Sequence, residues 1–465
     1  MSSELPASFV AALRKAVGDG HVRSDPSALE QYGVDALGIP HLPDIVVIPS
    51  NAREIAAVAR LCNEHHVPLV VRGAGTGYTG GAVPTRGGVV LSMERLNRII
   101  EIDEVNLLAV VEPNVITGDL QRAVEKVGLF YPPDPASLEK SSIGGNVAEC
   151  AGGPRAFKYG TTKRYVLALE AVLPTGEIIE TGSKAVKNVV GYDLTQLLVG
   201  SEGTLAIVTR ITLRLVPKPP AQATLLAMFA DIQGAVDAVT ELIRRRVVPA
   251  AIELMDADSL DAVRDFTRRE IAPPGTGAAV IVEVDGSDAA VEEDIDRAAK
   301  ACRDVGAIRV TLASTAEERD ALWELRREMS LALRGTGLLK INHDVVVPRG
   351  RVPELFAIIE ELKEGYGLRI ASFGHAGDGN IHVNLMVQRD NAEELARAKR
   401  AERVLFERVV ALEGSISGEH GIGFAKAPYI DIELSADEIA LMKRVKAAFD
   451  PNGILNPGKI FPSGS

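Results

Sequence analysis

The sequence predicts an α+β chain of two domains, and three observations carry that reading. Asp44 to Ile48, Ala52 to His66 and Val67 to Val71 form a strand–helix–strand unit that delivers the chain into a glycine-rich loop. The composition breaks at Pro217-Lys218-Pro219-Pro220. Beyond that break, strands and helices repeat in a pattern that suits a cap built on an antiparallel sheet.

With 465 residues there is enough chain for two separate cores. The net charge of -12 leaves no basic stripe to displace counterions from phosphate, which argues against nucleic acid or an anionic membrane as partner. A small anionic substrate needs only local positive charge. Cys62, Cys150 and Cys302 lie far apart and form no CxxC pair, so neither an iron–sulfur cluster nor a disulfide framework is expected. Met1 to Val22 is amphipathic without an apolar signal region, and no later run reaches membrane-spanning length. A cytoplasmic protein is expected, with peripheral membrane association left open.

In chain order, the first unit ends in Arg72-Gly73-Ala74-Gly75-Thr76-Gly77-Tyr78-Thr79-Gly80-Gly81. Missing side chains there let backbone N–H groups approach a phosphate. Gly75, Gly77 and Gly80 satisfy GxGxxG, but a dinucleotide fingerprint must open a helix, and Pro84 with Gly87 and Gly88 follows instead. An NAD site is therefore not expected. Strands at 89–93 and 107–111 and a helix at 117–127 lead to a second glycine-rich loop. This loop runs from Pro132-Pro133-Asp134-Pro135-Ala136-Ser137 through Ser142-Ile143-Gly144-Gly145-Asn146 and Ala151-Gly152-Gly153 to Lys158-Tyr159-Gly160. A loop of that length inside a compact domain suits the embrace of a large ligand. Strands at 168–173 and 178–180 precede Gly200-Ser201-Glu202-Gly203-Thr204-Leu205-Ala206-Ile207-Val208.

The second domain reads as strands at 224–229, 251–255, 278–284 and 308–312, with helices at 234–246, 289–305 and 315–334. In the last of these helices Arg326 and Ser330 stand one turn apart on one face, where Arg326 suits a carboxylate, although Arg327 and Glu328 beside it resemble ordinary exposed charges. Lys340 and Asp344 are weaker candidates. A helix at 351–366 then leads to the densest chemistry in the chain.

Three of the eight histidines fall in Phe373-Gly374-His375-Ala376-Gly377-Asp378-Gly379-Asn380-Ile381-His382-Val383-Asn384 and Ser417-Gly418-Glu419-His420-Gly421-Ile422-Gly423. Alternation in a strand points His382 and Asn384 one way and the aliphatic residues into the core. The turn at 377–380 folds the His375 strand back on the His382 strand and brings two imidazoles together. Glu419 completes a three-ligand divalent site with open positions, and His420 is left as a base. The ordinary alternative is a set of loop histidines near turns.

The stretch from about Asp44 to Pro217 resembles the FAD-binding domain of the vanillyl-alcohol oxidase (PCMH-type) flavoproteins. The resemblance rests on RGAGTGYTGG, on SSIGGNVAECAGG with KYG, and on GSEGTLAIVT, in that order. It implies FAD, held either noncovalently or covalently; no added cysteine or histidine in these segments stands out as a covalent tether, so noncovalent FAD is expected. The residues it marks are Arg72, Gly73, Gly75, Thr76, Gly77 and Gly81 in the first segment. In the second they are Pro133, Asp134, Ser137, Gly144, Gly145, Asn146, Gly153, Tyr159 and Gly160, and in the third Glu202, Gly203 and Ile207. HAGDGNIHVN and SGEHGIG resemble the FAD-linked oxidase C-terminal domain of D-lactate dehydrogenases, D-2-hydroxyglutarate dehydrogenases and the flavin subunit of glycolate oxidase.

That resemblance implies His375, His382 and Glu419 as ligands of zinc, manganese or iron, His420 as base, Asn384 as a substrate contact and Arg326 as the carboxylate-binding arginine. DPNGILNPGK resembles the family's closing segment, with Asn456 near the flavin. The domains implied are 1–220 for FAD, 221–414 for substrate and 415–465 returning to the flavin domain. The activity implied is oxidation of a D-2-hydroxy acid of the lactate, 2-hydroxyglutarate or glycolate class. The electron acceptor stays open among quinone, cytochrome, electron-transfer flavoprotein and partner subunit, with a homodimer as the candidate assembly. Two rival readings are an electron-transfer subunit of a larger complex and a metal-free alcohol or aldonolactone oxidase.

Overall fold

The computed structural model describes residues 5–462 and divides them into two compact units. The first takes the chain up to Gly152, Thr161–Lys218 and the chain from Glu419 onward; the second takes Gly153–Gly160 and Pro219–Gly418. The sequence reading assigned all of 1–220 to the first domain, whereas Gly153–Gly160 here belongs with the second unit.

In the first unit β1 (Val22–Arg23), β2 (Ile45–Val47), β3 (Leu69–Arg72) and β4 (Val89–Ser92) form a sheet in the order β1-β2-β4-β3. β2 and β3 both run parallel to β4, as the crossover through helix Ala52–Glu64 demands. Asn51 caps that helix by accepting from the N–H groups of Arg53 and Glu54. Its apolar stripe of Ile55, Val58, Ala59 and Cys62 shares a core with Phe9, Leu13, Ile45, Val47 and Leu91.

A second sheet joins β5 (Ile99–Asp103) and β6 (Leu108–Val111) to β8 (Val166–Val172), β9 (Ile178–Gly182) and β10 (Ile207–Arg214), while β7 (Leu129–Phe130) pairs with β11 (Val216–Pro217). Its order is β5-β6-β10-β8-β9, and every pairing is antiparallel. The closing segment lies beside β3, where Leu69 N–H donates to Ile454 O and Asn456 N–H to Leu69 O, each at 2.8 Å.

The stretch expected as one long loop contains helix Ile143–Glu149 and the single turn Ala156–Tyr159. The Ser142 hydroxyl starts the first of these by accepting from Gly145 N–H, and Gly144 lies so close to Pro113 that a β-carbon would collide. The glycines here serve close packing as well as turning.

The second unit is built on one seven-stranded sheet. Its strands are β12 (Ala221–Phe229), β13 (Ala251–Asp256), β14 (Ala278–Gly286), β15 (Arg309–Leu312), β16 (Leu339–Val346), β17 (Arg369–His375) and β18 (Asn380–Val387). The order is β15-β12-β14-β13-β17-β18-β16, antiparallel throughout. Two helices that the periodicity does not single out, Ala257–Thr267 and Ala392–Ala411, pack on this sheet with those expected from the sequence. Both faces are consequently covered, and all eight residues of β18 are buried. The polar face expected for His382 and Asn384 thus looks into the protein rather than toward water.

Candidate active site

At the end of β3 the first glycine-rich loop bends around its own arginine. Gly75 has φ +67° and sits where a β-carbon would strike the Arg72 guanidinium. Arg72 is buried, and its Nη1 has no hydrogen-bond partner among the described residues. Beside Gly77 the space is open, and Gly73 closes against the Ser142 hydroxyl, so the first and second glycine segments meet here. An orphaned cationic nitrogen next to bare backbone is what a phosphate-bearing cofactor requires.

The closing segments are stitched to this loop. Asn456 donates from Nδ2 to Gly81 O (2.9 Å) and Glu202 O (2.7 Å), while its buried Oδ1 lacks a partner among the described residues. The Glu202 carboxylate accepts from the N–H groups of Ile422 and Gly423, both at 2.7 Å, and burial raises its pKa. Thr79 donates its hydroxyl to His420 O at 3.0 Å, and the Tyr78 and His420 rings lie 5.2 Å apart. Glu202 therefore braces the loop that carries His420.

Other residues marked for the cofactor have structural partners of their own. The Ile207 side chain is in the core, Asn146 Nδ2 donates to Thr117, and Pro133 O accepts from Gln121. Tyr159 donates its hydroxyl to Asp285 within the second unit, which also holds Gly153 and Gly160.

In the second unit, strand register gathers the chemistry on one sheet face. Glu253 stands opposite His375, Phe373 opposite His382, His382 opposite Asp344, and Asn384 opposite both Ala371 and Asn342. The His375 and His382 rings are 5.2 Å apart, nearly perpendicular. Gly418 N–H donates to the Asp344 carboxylate at 3.0 Å, and Glu419 follows it in the chain. One ligand atom from each of His375, His382 and Glu419 lies within 4.8 Å of the others. Two imidazoles and a carboxylate at that spacing match the donor set of a divalent ion. His420 follows directly, half-buried, with Nε2 3.9 Å from the Glu419 carboxylate.

Arg326 is 6 % exposed and therefore not the surface arginine its neighbours suggest. Its Nε donates to Glu253 Oε2 at 2.5 Å, and its guanidinium stacks 4.5 Å from the Phe373 ring centre. Glu253 Oε1 meets His375 Nδ1 at 2.5 Å. Burial by itself would raise the Glu253 pKa, but attraction to His375 and Arg326 prevails and holds it below its usual value. Glu253, which the sequence alone does not single out, thus joins Arg326 to His375; the available signal was a lone carboxylate in the apolar strand Ala251-Ile252-Glu253-Leu254-Met255.

Lys340 donates to the Ser330 hydroxyl at 2.8 Å and lies 5.9 Å from the Phe373 ring centre. Burial, with Arg334 and Arg326 nearby, lowers its pKa to about 7. Asn384 is fully buried; its Nδ2 donates to Ala371 O and His382 O, and its Oδ1 accepts from Asn342.

Known proteins resemble both parts of the chain. Residues 218–460 match the family described as FAD linked oxidases, C-terminal domain, and residues 43–182 match the FAD binding domain family. The chain is 45 % identical over 420 residues to the glycolate oxidase subunit GlcD of Bacillus subtilis, covering 90 % of this chain and 89 % of that one. It is 37 % identical to the D-lactate dehydrogenase of Anaerostipes hadrus, with 90 % and 89 % covered. Among solved structures, p-cresol methylhydroxylase with substrate bound superposes with a TM-score of 0.80 at 20 % identity, covering 98 % and 97 % of the two chains, a likeness of fold. The chain belongs to the FAD-linked oxidase family and is an FAD-dependent oxidoreductase with a PCMH-type α+β fold.

Proposed function

We propose that the protein oxidises a D-2-hydroxy acid of the lactate, glycolate or 2-hydroxyglutarate class to the 2-oxo acid. The observation that carries this reading is the convergence of His375, His382 and Glu419, with Asn384 on the same sheet as the two imidazoles and Arg326, from helix Ala316–Gly335, paired with Glu253 of that sheet. Those three residues would hold a divalent ion, which when bound makes a coordinated hydroxyl more acidic. FAD, when bound, supplies the hydride acceptor. His420 takes the proton of the α-hydroxyl, a role typically worth about 100- to 10,000-fold in rate. Arg326 spends its Nε on Glu253, which leaves the terminal nitrogens of the guanidinium for the substrate carboxylate. Lys340, half-buried, adds a second basic side chain to the same neighbourhood. The relatives named as D-lactate dehydrogenase and as glycolate oxidase subunit support the substrate class. The word subunit in the latter favours a partner chain as electron acceptor.

The test is anaerobic mixing of the FAD-loaded, metal-loaded protein with D-lactate, L-lactate, glycolate and D-2-hydroxyglutarate. Bleaching of the oxidised-flavin band by a D acid, abolished by chelation and restored by added metal, is the expected result. A flavin that none of these acids reduces sinks the proposal, and reduction indifferent to chelation sinks its metal-assisted part.

A further inference from the structure

We infer that Glu253 is a positioning residue that fixes the tautomer of His375, and that Arg326 is the clamp that aims Glu253. The inference rests on the metal reading of His375, His382 and Glu419. Glu253 is completely buried, and each of its two carboxylate oxygens has a different partner: Oε2 receives Arg326 Nε–H and Oε1 faces His375 Nδ1. A carboxylate offers only acceptors, so His375 must carry its proton on Nδ1, and Nε2 keeps the lone pair that a metal needs. Strand register makes this arrangement stiff. Glu253 and His375 are direct cross-strand partners on β13 and β17, so neither side chain has to reach. Arg326 comes from helix Ala316–Gly335, is stacked on Phe373, and has one fixed fork to present.

The arrangement gives Arg326 a duty in the substrate-free protein, ahead of any carboxylate it binds. It also makes one substitution diagnostic. In Glu253→Gln the Arg326 Nε–H still demands an acceptor, which turns the amide oxygen toward Arg326 and the amide N–H toward His375. His375 Nδ1 must then accept, its proton moves to Nε2, and the ligand lone pair is lost. Glu253→Asp keeps the charge and both acceptors on a shorter arm, so it serves as the conservative rescue.

The experiment uses the full FAD-loaded protein stripped of metal and titrated with Co2+ against a chromophoric chelator. In parallel, 15N-histidine spectra of the metal-free protein report each ring's tautomer. Glu253→Gln should weaken Co2+ binding by about 10- to 100-fold, with flavin content unchanged, and should move His375 from the Nδ1–H to the Nε2–H form. Arg326→Met, which touches no ligand, should weaken Co2+ binding in the same direction, and Glu253→Asp should recover part of the loss. An Nε2–H His375 in the unsubstituted protein, or unchanged Co2+ affinity in Glu253→Gln, overturns the inference. If the unsubstituted protein binds no Co2+, the metal reading fails, while the tautomer spectra still decide whether Glu253 sets His375.

Discussion

The loops around Arg72 and the sheet face around His375 do their work with opposite means. Around Arg72 the chemistry is carried by backbone: glycines that leave room, carbonyls that receive Asn456, and N–H groups that Glu202 gathers. Around His375 it is carried by side chains locked in a sheet, each with a cross-strand neighbour. A backbone cradle tolerates side-chain change but not added bulk, whereas a side-chain site loses its chemistry while its strands persist.

The sharpest way to probe that contrast is His420→Ala, which should leave flavin binding and melting temperature unchanged while lowering the rate of flavin reduction by about 100- to 10,000-fold. Anaerobic stopped-flow measures it, and near-normal reduction removes His420 from the chemistry. Arg326→Met comes next, because it strands the buried Glu253 charge. A loss of about 3–5 kcal/mol is expected for breaking such a pair, read by denaturant unfolding.

Glu202→Gln tests the backbone region from within. One of the two N–H groups at Ile422 and Gly423 loses its acceptor, at a cost of about 1–3 kcal/mol. Hydrogen exchange at those two amides should accelerate while the β17–β18 amides stay protected. The smallest effect expected is that of Lys340→Met. Lys340 titrates at about 7 instead of its ordinary 10.5, so the fold resists its charge. That penalty is full below pH 7 and fades as the pH rises toward the unfolded value. Lys340→Met should therefore stabilise the protein at pH 6 and leave it unchanged well above pH 10. Affinity for the anionic substrate should also stop falling as the pH rises through 7, as it does when Lys340 sheds its proton.

How far the sequence revealed these regions follows from the same contrast. The β2–helix–β3 crossover, the β17–β18 hairpin and the strands of the second unit were legible because period-2 alternation and turn glycines are local signals. Helix Ile143–Glu149 was not, because its glycines mimic a loop and the reason for them is a neighbour, Pro113, distant in sequence. Arg326 looked exposed because only the partner on β13, some seventy residues earlier, explains its burial. Glu253 escaped because a single carboxylate in an apolar strand has no local meaning until His375 is placed opposite it. Membrane insertion of a helix finds no support among the described residues, where none is long and apolar enough to cross a bilayer.

The allocation of Gly153–Gly160 has a consequence for anyone recombining members of this family. The chain passes between the two units four times, after Gly152, Gly160, Lys218 and Gly418. The short visit at 153–160 is fastened within the second unit by Arg155 to Glu283, Lys158 to Asp285 and Tyr159 to Asp285. A chimera that grafts a foreign cap at 219–418 alone would pair its β14 acids with an inherited octapeptide selected against a different surface. Exchange of substrate preference between relatives should therefore succeed only when those eight residues travel with the insert.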